Sequence, residues 1–153
     1  MKIMTFVTED RVISDLHGAD KLSVLRELSR PLVKVCGLAS AEELAQVLLE
    51  REKIESTGIG DGVAIPHGRV RGLKDFVLSF ARSTKGIDFD SIDHKPAHLF
   101  FLILAPENSA TINLELLSRI VTLLRDRSFK KRLMEARSPK ELFQIIAEED
   151  EKY

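Results

Sequence analysis

The stretch HLFFLILAP, residues 98–106, constrains the fold more than any other part of the chain. Its side chains are apolar at both odd and even positions, whereas a strand with one solvated face would alternate between apolar and polar residues. Such a run is typical of a central strand that is covered on both faces. Because helical patterns occur before and after it, we expect an α/β fold in which helices pack on a sheet.

Three other segments have extended patterns. Asp75 to Arg82 carries Phe76, Leu78 and Phe80 on one side, which is typical of a strand. We expect shorter strands at residues 63–65, VAI, and at residues 11–16.

Helix starts are marked by capping residues. Ser40 and Glu43 form a capping box, and a second box at residues 138–141 has Pro139 at its first helical position. Ser128 is expected to begin a short helix. Residues 20–30 have leucines three apart, and Pro31 should break or kink that helix.

Composition limits the class of protein. With 153 residues, of which 44% are hydrophobic and 31% charged, the chain suits one domain over residues 1–153. The net charge of −1 provides no general attraction to nucleic acid or anionic lipid. The one cysteine excludes an internal disulfide, and the longest apolar run, residues 99–105, is too short to span a bilayer. We therefore expect a cytoplasmic domain with no nucleic-acid partner and no membrane insertion.

The most unusual segment is STGIGDGVAIPHGR, residues 56–69, which gathers four glycines and a proline around His67. Pro66 and Gly68 fix the backbone there, so we expect His67 at the end of a strand with its ring accessible. An imidazole can act as a base, a metal ligand or a covalent phosphoryl acceptor. Glycine N–H groups can approach an anion, but the spacing is not that of a nucleotide-binding loop.

Arg51 lies four residues after Val47 and seven after Leu44, which places it on the apolar stripe of its helix. An inward-facing guanidinium needs an acceptor, which could be a phosphoryl group or a protein carboxylate. Ser56 and Thr57 could donate hydrogen bonds to the same anion, or satisfy only the end of the helix and the turn.

Glu52, Ile59-Gly60 and the run from Val63 to Gly68 resemble, in order and spacing, the signature of a known family. The family is that of the type-2 (fructose/mannitol, including nitrogen-regulatory) enzyme IIA domains of the phosphoenolpyruvate-dependent phosphotransferase system. Residues 86–106 are also similar, with Ala97 where a valine usually stands. The resemblance implies a single domain with a mixed β-sheet flanked by helices on both faces.

The resemblance also implies a function. His67 would accept a phosphoryl group from the histidine-containing phosphocarrier protein and pass it on, or use it as a signal. Arg51 matches the arginine that helps to bind that group. Asn113 stands where the family commonly has a second histidine, and its amide can still donate a hydrogen bond to a phosphoryl oxygen. We also expect Ile59, Val63 and Ile65 to form an apolar collar, a ring of apolar side chains around the site that a docked donor would contact.

Three functions remain open: a phosphocarrier of the stand-alone nitrogen-regulatory type, a sugar-specific IIA component that passes phosphate to a IIB domain, and a regulatory protein that binds targets without onward transfer. A chain without fused IIB or IIC segments favours the first. We expect no cofactor. We also expect no metal, because Pro96 separates His94 and His98 and no further ligand completes a set.

Overall fold

The computed structural model describes residues 2–109 and 111–153, with the backbone alone at residues 111–113. In this part of the chain six strands form one sheet: β1 (Val12–Ile13), β2 (Gly58–Gly60), β3 (Val63–Ala64), β4 (His67–Val70), β5 (Val77–Ile87) and β6 (Ala97–Pro106). The helices are α1 (Lys21–Ser29), α2 (Val33–Cys36), α3 (Ala41–Ile54), α4 (Thr111–Leu123), α5 (Arg127–Glu135) and α6 (Pro139–Lys152), with 3₁₀ turns at Ile3–Thr5, Glu9–Arg11 and Arg30–Leu32.

The sheet is mixed, with the strand order β1-β5-β6-β3-β2 and with β4 also paired to β6. Strand β5 runs antiparallel to β6, whereas β3 and β4 run parallel to it, one after the other. The apolar run of residues 98–106 therefore forms the central strand, as its pattern predicts. All of β6 is buried except His98, which is half-buried.

Helices cover both faces of this strand. Phe101 and Ile103 contribute to a core on one side, together with side chains from α4, α5 and α6; we call this the α4 face. Phe100 and Leu102 contribute to a second core with side chains from α1, α2 and α3, which we call the α3 face. The expected α/β fold, a mixed sheet flanked by helices on both faces, is confirmed.

Most of the predicted helix boundaries hold. Ser40 Oγ accepts a hydrogen bond from the Glu43 N–H at 3.3 Å, and Ser138 Oγ accepts one from the Glu141 N–H at 3.1 Å. The start of α5 is different: the cap is Asp126, whose carboxylate accepts from the N–H groups of residues 128 and 129, so Ser128 lies inside the helix. In the described residues no helix is both long enough and apolar enough to cross a bilayer.

Candidate functional site

His67 begins strand β4 instead of ending a strand. Pro66 has no N–H to donate and interrupts the extended chain after β3, but β3 and β4 both pair with β6. His67 lies opposite Ile103, and the Ile103 N–H donates to the Pro66 carbonyl at 3.0 Å. The backbone of His67 is therefore anchored to the central strand of the sheet.

Within the described residues, the ring of His67 makes one hydrogen bond. Its Nδ1 lies 2.9 Å from the carbonyl oxygen of Ile65. A carbonyl can only accept, so the neutral ring carries its proton on Nδ1 and keeps the lone pair on Nε2. The half-buried ring thus has one fixed nitrogen and one nitrogen available as a nucleophile.

A cleft of about 650 Å³ lies beside His67, between the C-terminal half of α3 and the start of β4. Its lining residues are Val47, Glu50, Arg51, Lys53, Ile54, His67, Gly68 and Arg69. His67 and Arg51 therefore share one cleft, although they are 16 positions apart in the sequence.

Arg51 borders this cleft and does not face the core. The residues that α3 buries are Leu44, Ala45, Leu48 and Glu52, so the buried stripe is rotated away from the predicted one. Arg51 is half-buried, and its Nη1 donates to the carbonyl oxygen of Glu55, just beyond the helix, at 2.8 Å. Its guanidinium has further donors in addition to this one.

Arg69 is a second arginine in the cleft that the sequence interpretation missed. It is exposed and lies two residues after His67, so both side chains are on the same side of β4. The one acceptor that it reaches in the described residues is the Glu107 carbonyl, at 3.4 Å. Strand alternation was the signal that could have identified it.

The apolar rim of the site differs from the predicted collar. Val63 and Ile65 are 2% and 1% exposed, so neither can contact a partner, and only Ile59, at 41%, is accessible. The rim of the cleft instead has Val47 and Ile54, which are 37% and 82% exposed.

Ser56 and Thr57 already have partners within the fold. The Ser56 hydroxyl donates to the Phe89 carbonyl at 2.6 Å, and the buried Thr57 hydroxyl donates to the carboxylate of Glu52. Phosphate binding by either hydroxyl stays a prediction, and it requires the hydroxyl to exchange its present acceptor.

The glycines before His67 shape a hairpin. Gly60 at the end of β2 has a φ of 94°, and Asp61 and Gly62, which form the turn to β3, have φ of 55° and 78°, so the backbone is left-handed at all three. The Asp61 N–H donates to Asp93 at 3.0 Å, and this hydrogen bond and one from the Lys95 N–H lower the pKa of the Asp93 carboxyl. The exposed Asp61 does not line the cleft.

Two other predictions concern Asn113 and the remaining histidines. The backbone of Asn113 lies in the first turn of α4, but its side chain is outside the described residues. Nδ1 of His98 is 2.9 Å from the Ser83 carbonyl. Among the described residues, no cluster of three or more His, Cys, Asp or Glu side chains is arranged to hold a metal ion.

The sequence profile of one family, described as "Phosphoenolpyruvate-dependent sugar phosphotransferase system, EIIA 2", matches residues 5–149. The chain belongs to this family. Members of the EIIA 2 family are phosphotransfer components, and a histidine with its lone pair on Nε2, in a cleft lined by two arginines, fits that chemistry.

Relatives of two kinds are about equally similar to this EIIA 2 chain. It is 36% identical over 150 residues to a Bacillus subtilis "PTS system fructose-specific EIIABC component", covering 98% of this chain and 24% of that protein. It is also 36% identical over 147 residues to a Bradyrhizobium diazoefficiens "Nitrogen regulatory protein", covering 96% of this chain and 95% of that protein. The crystal structure of Nitrogen Regulatory Protein IIA-Ntr from Neisseria meningitidis superposes with a TM-score of 0.87 at 33% identity, covering 94% and 98% of the two chains.

Proposed function

We propose that this protein is a phosphocarrier that accepts a phosphoryl group on Nε2 of His67 from the histidine-containing phosphocarrier protein. The observation that carries the proposal is the 2.9 Å contact between His67 Nδ1 and the Ile65 carbonyl. That contact holds the proton on Nδ1 and leaves Nε2 as the nucleophile, on a strand anchored to β6.

The transfer is an in-line displacement at phosphorus. The lone pair of His67 Nε2 forms the new N–P bond while the N–P bond in the donor breaks, and its electron pair returns to the donor imidazole. Arg51 and Arg69 line the cleft and oppose the negative charge of the transferring oxygens. Val47 and Ile54 offer an apolar rim against which a docked partner would exclude water and protect the phosphohistidine from hydrolysis.

Within the family we favour the nitrogen-regulatory kind. Support comes from the Bradyrhizobium relative, which matches over nearly the whole of both chains, and from the superposition on IIA-Ntr. The second candidate is a sugar-specific component that passes its phosphoryl group to a IIB domain, and it is favoured by the equal identity to the fructose-specific protein. A regulatory protein that binds targets without onward transfer is the third.

The test is phosphorylation with phosphoenolpyruvate, enzyme I and the phosphocarrier protein, followed by intact mass. Wild type should gain one acid-labile phosphoryl group and His67→Ala should gain none. His94→Ala, which removes an exposed histidine outside the cleft, is the matched control and should be labelled like wild type. Labelling of His67→Ala at the wild-type level would contradict the assignment. Adding a fructose-type IIB domain to the phosphorylated protein then separates onward transfer to a sugar component from the other two roles.

A further inference from the structure

Glu52 is a buried acid that the transfer chemistry does not use. Its side chain is 2% exposed, and the Lys21 ammonium pairs with one carboxylate oxygen at 3.1 Å. The same oxygen accepts a hydrogen bond from the Thr57 N–H at 3.0 Å, and the other accepts one from the Thr57 hydroxyl. The Glu52 carboxylate thus accepts hydrogen bonds from both donors of Thr57, its N–H and its hydroxyl.

Thr57 is connected in turn to His67. The Thr57 carbonyl accepts a hydrogen bond from the Ile65 N–H at 3.0 Å, and the Ile65 carbonyl accepts the bond from His67 Nδ1 at 2.9 Å. A hydrogen-bonded path therefore runs from the last helical turn of α3, through Thr57 just before β2 and Ile65 just after β3, to the ring nitrogen that fixes the tautomer. Its members Glu52, Thr57 and Ile65 are all at least nine-tenths buried.

We infer that Glu52 is a positioning residue for His67: by fixing Thr57 it sets the place of the Ile65 carbonyl, and that carbonyl holds the His67 proton on Nδ1. The inference rests on the proposed function for its role in phosphoryl transfer, but the tautomer itself does not depend on transfer. A buried ion pair adds little net stability compared with apolar packing, so stability alone does not account for a carboxylate here. Misplacement of a reacting group by about 1 Å can cost on the order of 100-fold in rate.

The experiment measures the ring ¹⁵N chemical shifts of His67 in unphosphorylated protein, together with the rate of phosphorylation. In Glu52→Ala the Nδ1–H tautomer should lose its dominance, and phosphorylation should slow roughly 10-fold to 100-fold. Glu52→Gln should restore both readouts, because its amide oxygen can accept from the Thr57 N–H while its NH₂ donates to the Thr57 hydroxyl.

Glu43→Ala is the matched control. Glu43 is also an acid on α3 and also accepts from a backbone N–H, that of Ala39 at 3.2 Å, but it is exposed and lies at the opposite end of the helix. Glu43→Ala should lower stability and leave the tautomer and the rate of phosphorylation unchanged. A purely structural effect of Glu52 would instead resemble this control.

If Glu52→Ala does not fold, Thr57→Val provides the same test, because it removes one of the two Glu52 contacts at nearly constant volume. A wild-type tautomer in the folded Glu52→Ala or Thr57→Val protein would overturn the inference. If wild type takes up no phosphoryl group while the variants still shift the tautomer, the proposed function fails and the positioning role stands.

Discussion

Replacing Arg51 with methionine should separate phosphoryl binding from folding. The one hydrogen bond that Arg51 makes within the described structure goes to the Glu55 carbonyl at the solvent-exposed end of α3. Loss of such a bond costs about 0.5–1 kcal/mol, which corresponds to a fall of about 1–4 °C in Tm for a chain of this size. The methylenes that cover the cleft are largely kept by methionine.

The effect on transfer should be larger. A charge-assisted contact to the phosphoryl group is worth about 1.5–3 kcal/mol, so phosphorylation should slow about 10-fold to 150-fold. The assay is the initial rate of acid-labile phosphorylation by the phosphocarrier protein, with Tm measured by calorimetry on the same samples.

Arg82→Met provides the opposite case. The Arg82 side chain is 5% exposed and donates to the carbonyl of Ser14, just after β1, and to those of Leu133 and Ala136 at the end of α5. Removing it strands buried acceptors, at a cost of about 3–5 kcal/mol or roughly 6–20 °C in Tm. Phosphorylation measured well below that Tm should be unchanged.

A badly unfolded Arg51→Met protein, or one that is phosphorylated at the wild-type rate, would refute the assignment of Arg51.

Three further variants test other parts of the fold and site. In Gly68→Ala the new Cβ would lie 3.3 Å from Val47 Cγ1, so the Val47 side chain or β4 must shift by a few tenths of an ångström, and we expect both Tm and the rate of phosphorylation to fall. Hydrogen bonds from the Ser23 hydroxyl and N–H lower the pKa of the Asp20 carboxyl from its ordinary value of 3.8. The carboxylate therefore stabilises the fold above about pH 4, and this contribution is lost as the pH falls below that value. Asp20→Asn should match wild type in urea unfolding at pH 7 and lose less stability than wild type at pH 3. Asn113→His should preserve phosphorylation and add the titration of the new imidazole to the pH–rate profile between about pH 5.5 and 8.5, whereas an unchanged profile would place Asn113 outside the site.

The sheet and the helices on its two faces could be predicted because each depends on a local pattern. A run that is apolar at both odd and even positions favours a central strand. The alternation of Phe76, Leu78 and Phe80 places all three in the core of the α4 face. The capping boxes at Ser40 and Ser138 depend only on residues three apart. The cap of α5 was misplaced because Asp126 and Ser128 are both good N-cap residues, and the sequence does not show which one bonds to Phe129.

The rotation of α3 about its axis was harder to predict, because two adjacent stripes of the helix fit the same spacing. Leu44, Leu48 and Glu52 are four residues apart, and so are Val47 and Arg51, and each residue adds 100° around the axis. The rule that charged residues avoid the core does not choose between the two stripes, because one contains Arg51 and the other contains Glu52. The structure buries Glu52 because two residues outside α3 neutralise and bind its carboxylate. Lys21, which is distant in sequence, forms an ion pair with it, and Thr57, just beyond the helix, donates hydrogen bonds to it.

The same rotation explains why a glycine follows His67. With Leu48 and Glu52 turned inward, Val47 lies at the surface of α3 that meets β4, and the absent Cβ of Gly68 leaves room for that contact. The close approach puts the next exposed turn of α3, at Arg51, beside the start of β4, where His67 lies. Gly68 therefore serves the site through packing between a strand and a helix rather than through a left-handed backbone, since its φ is not among the positive values. No local pattern around His67 contains this information, because half of the contact is made by Val47 and Leu48, which precede Gly68 by 21 and 20 positions.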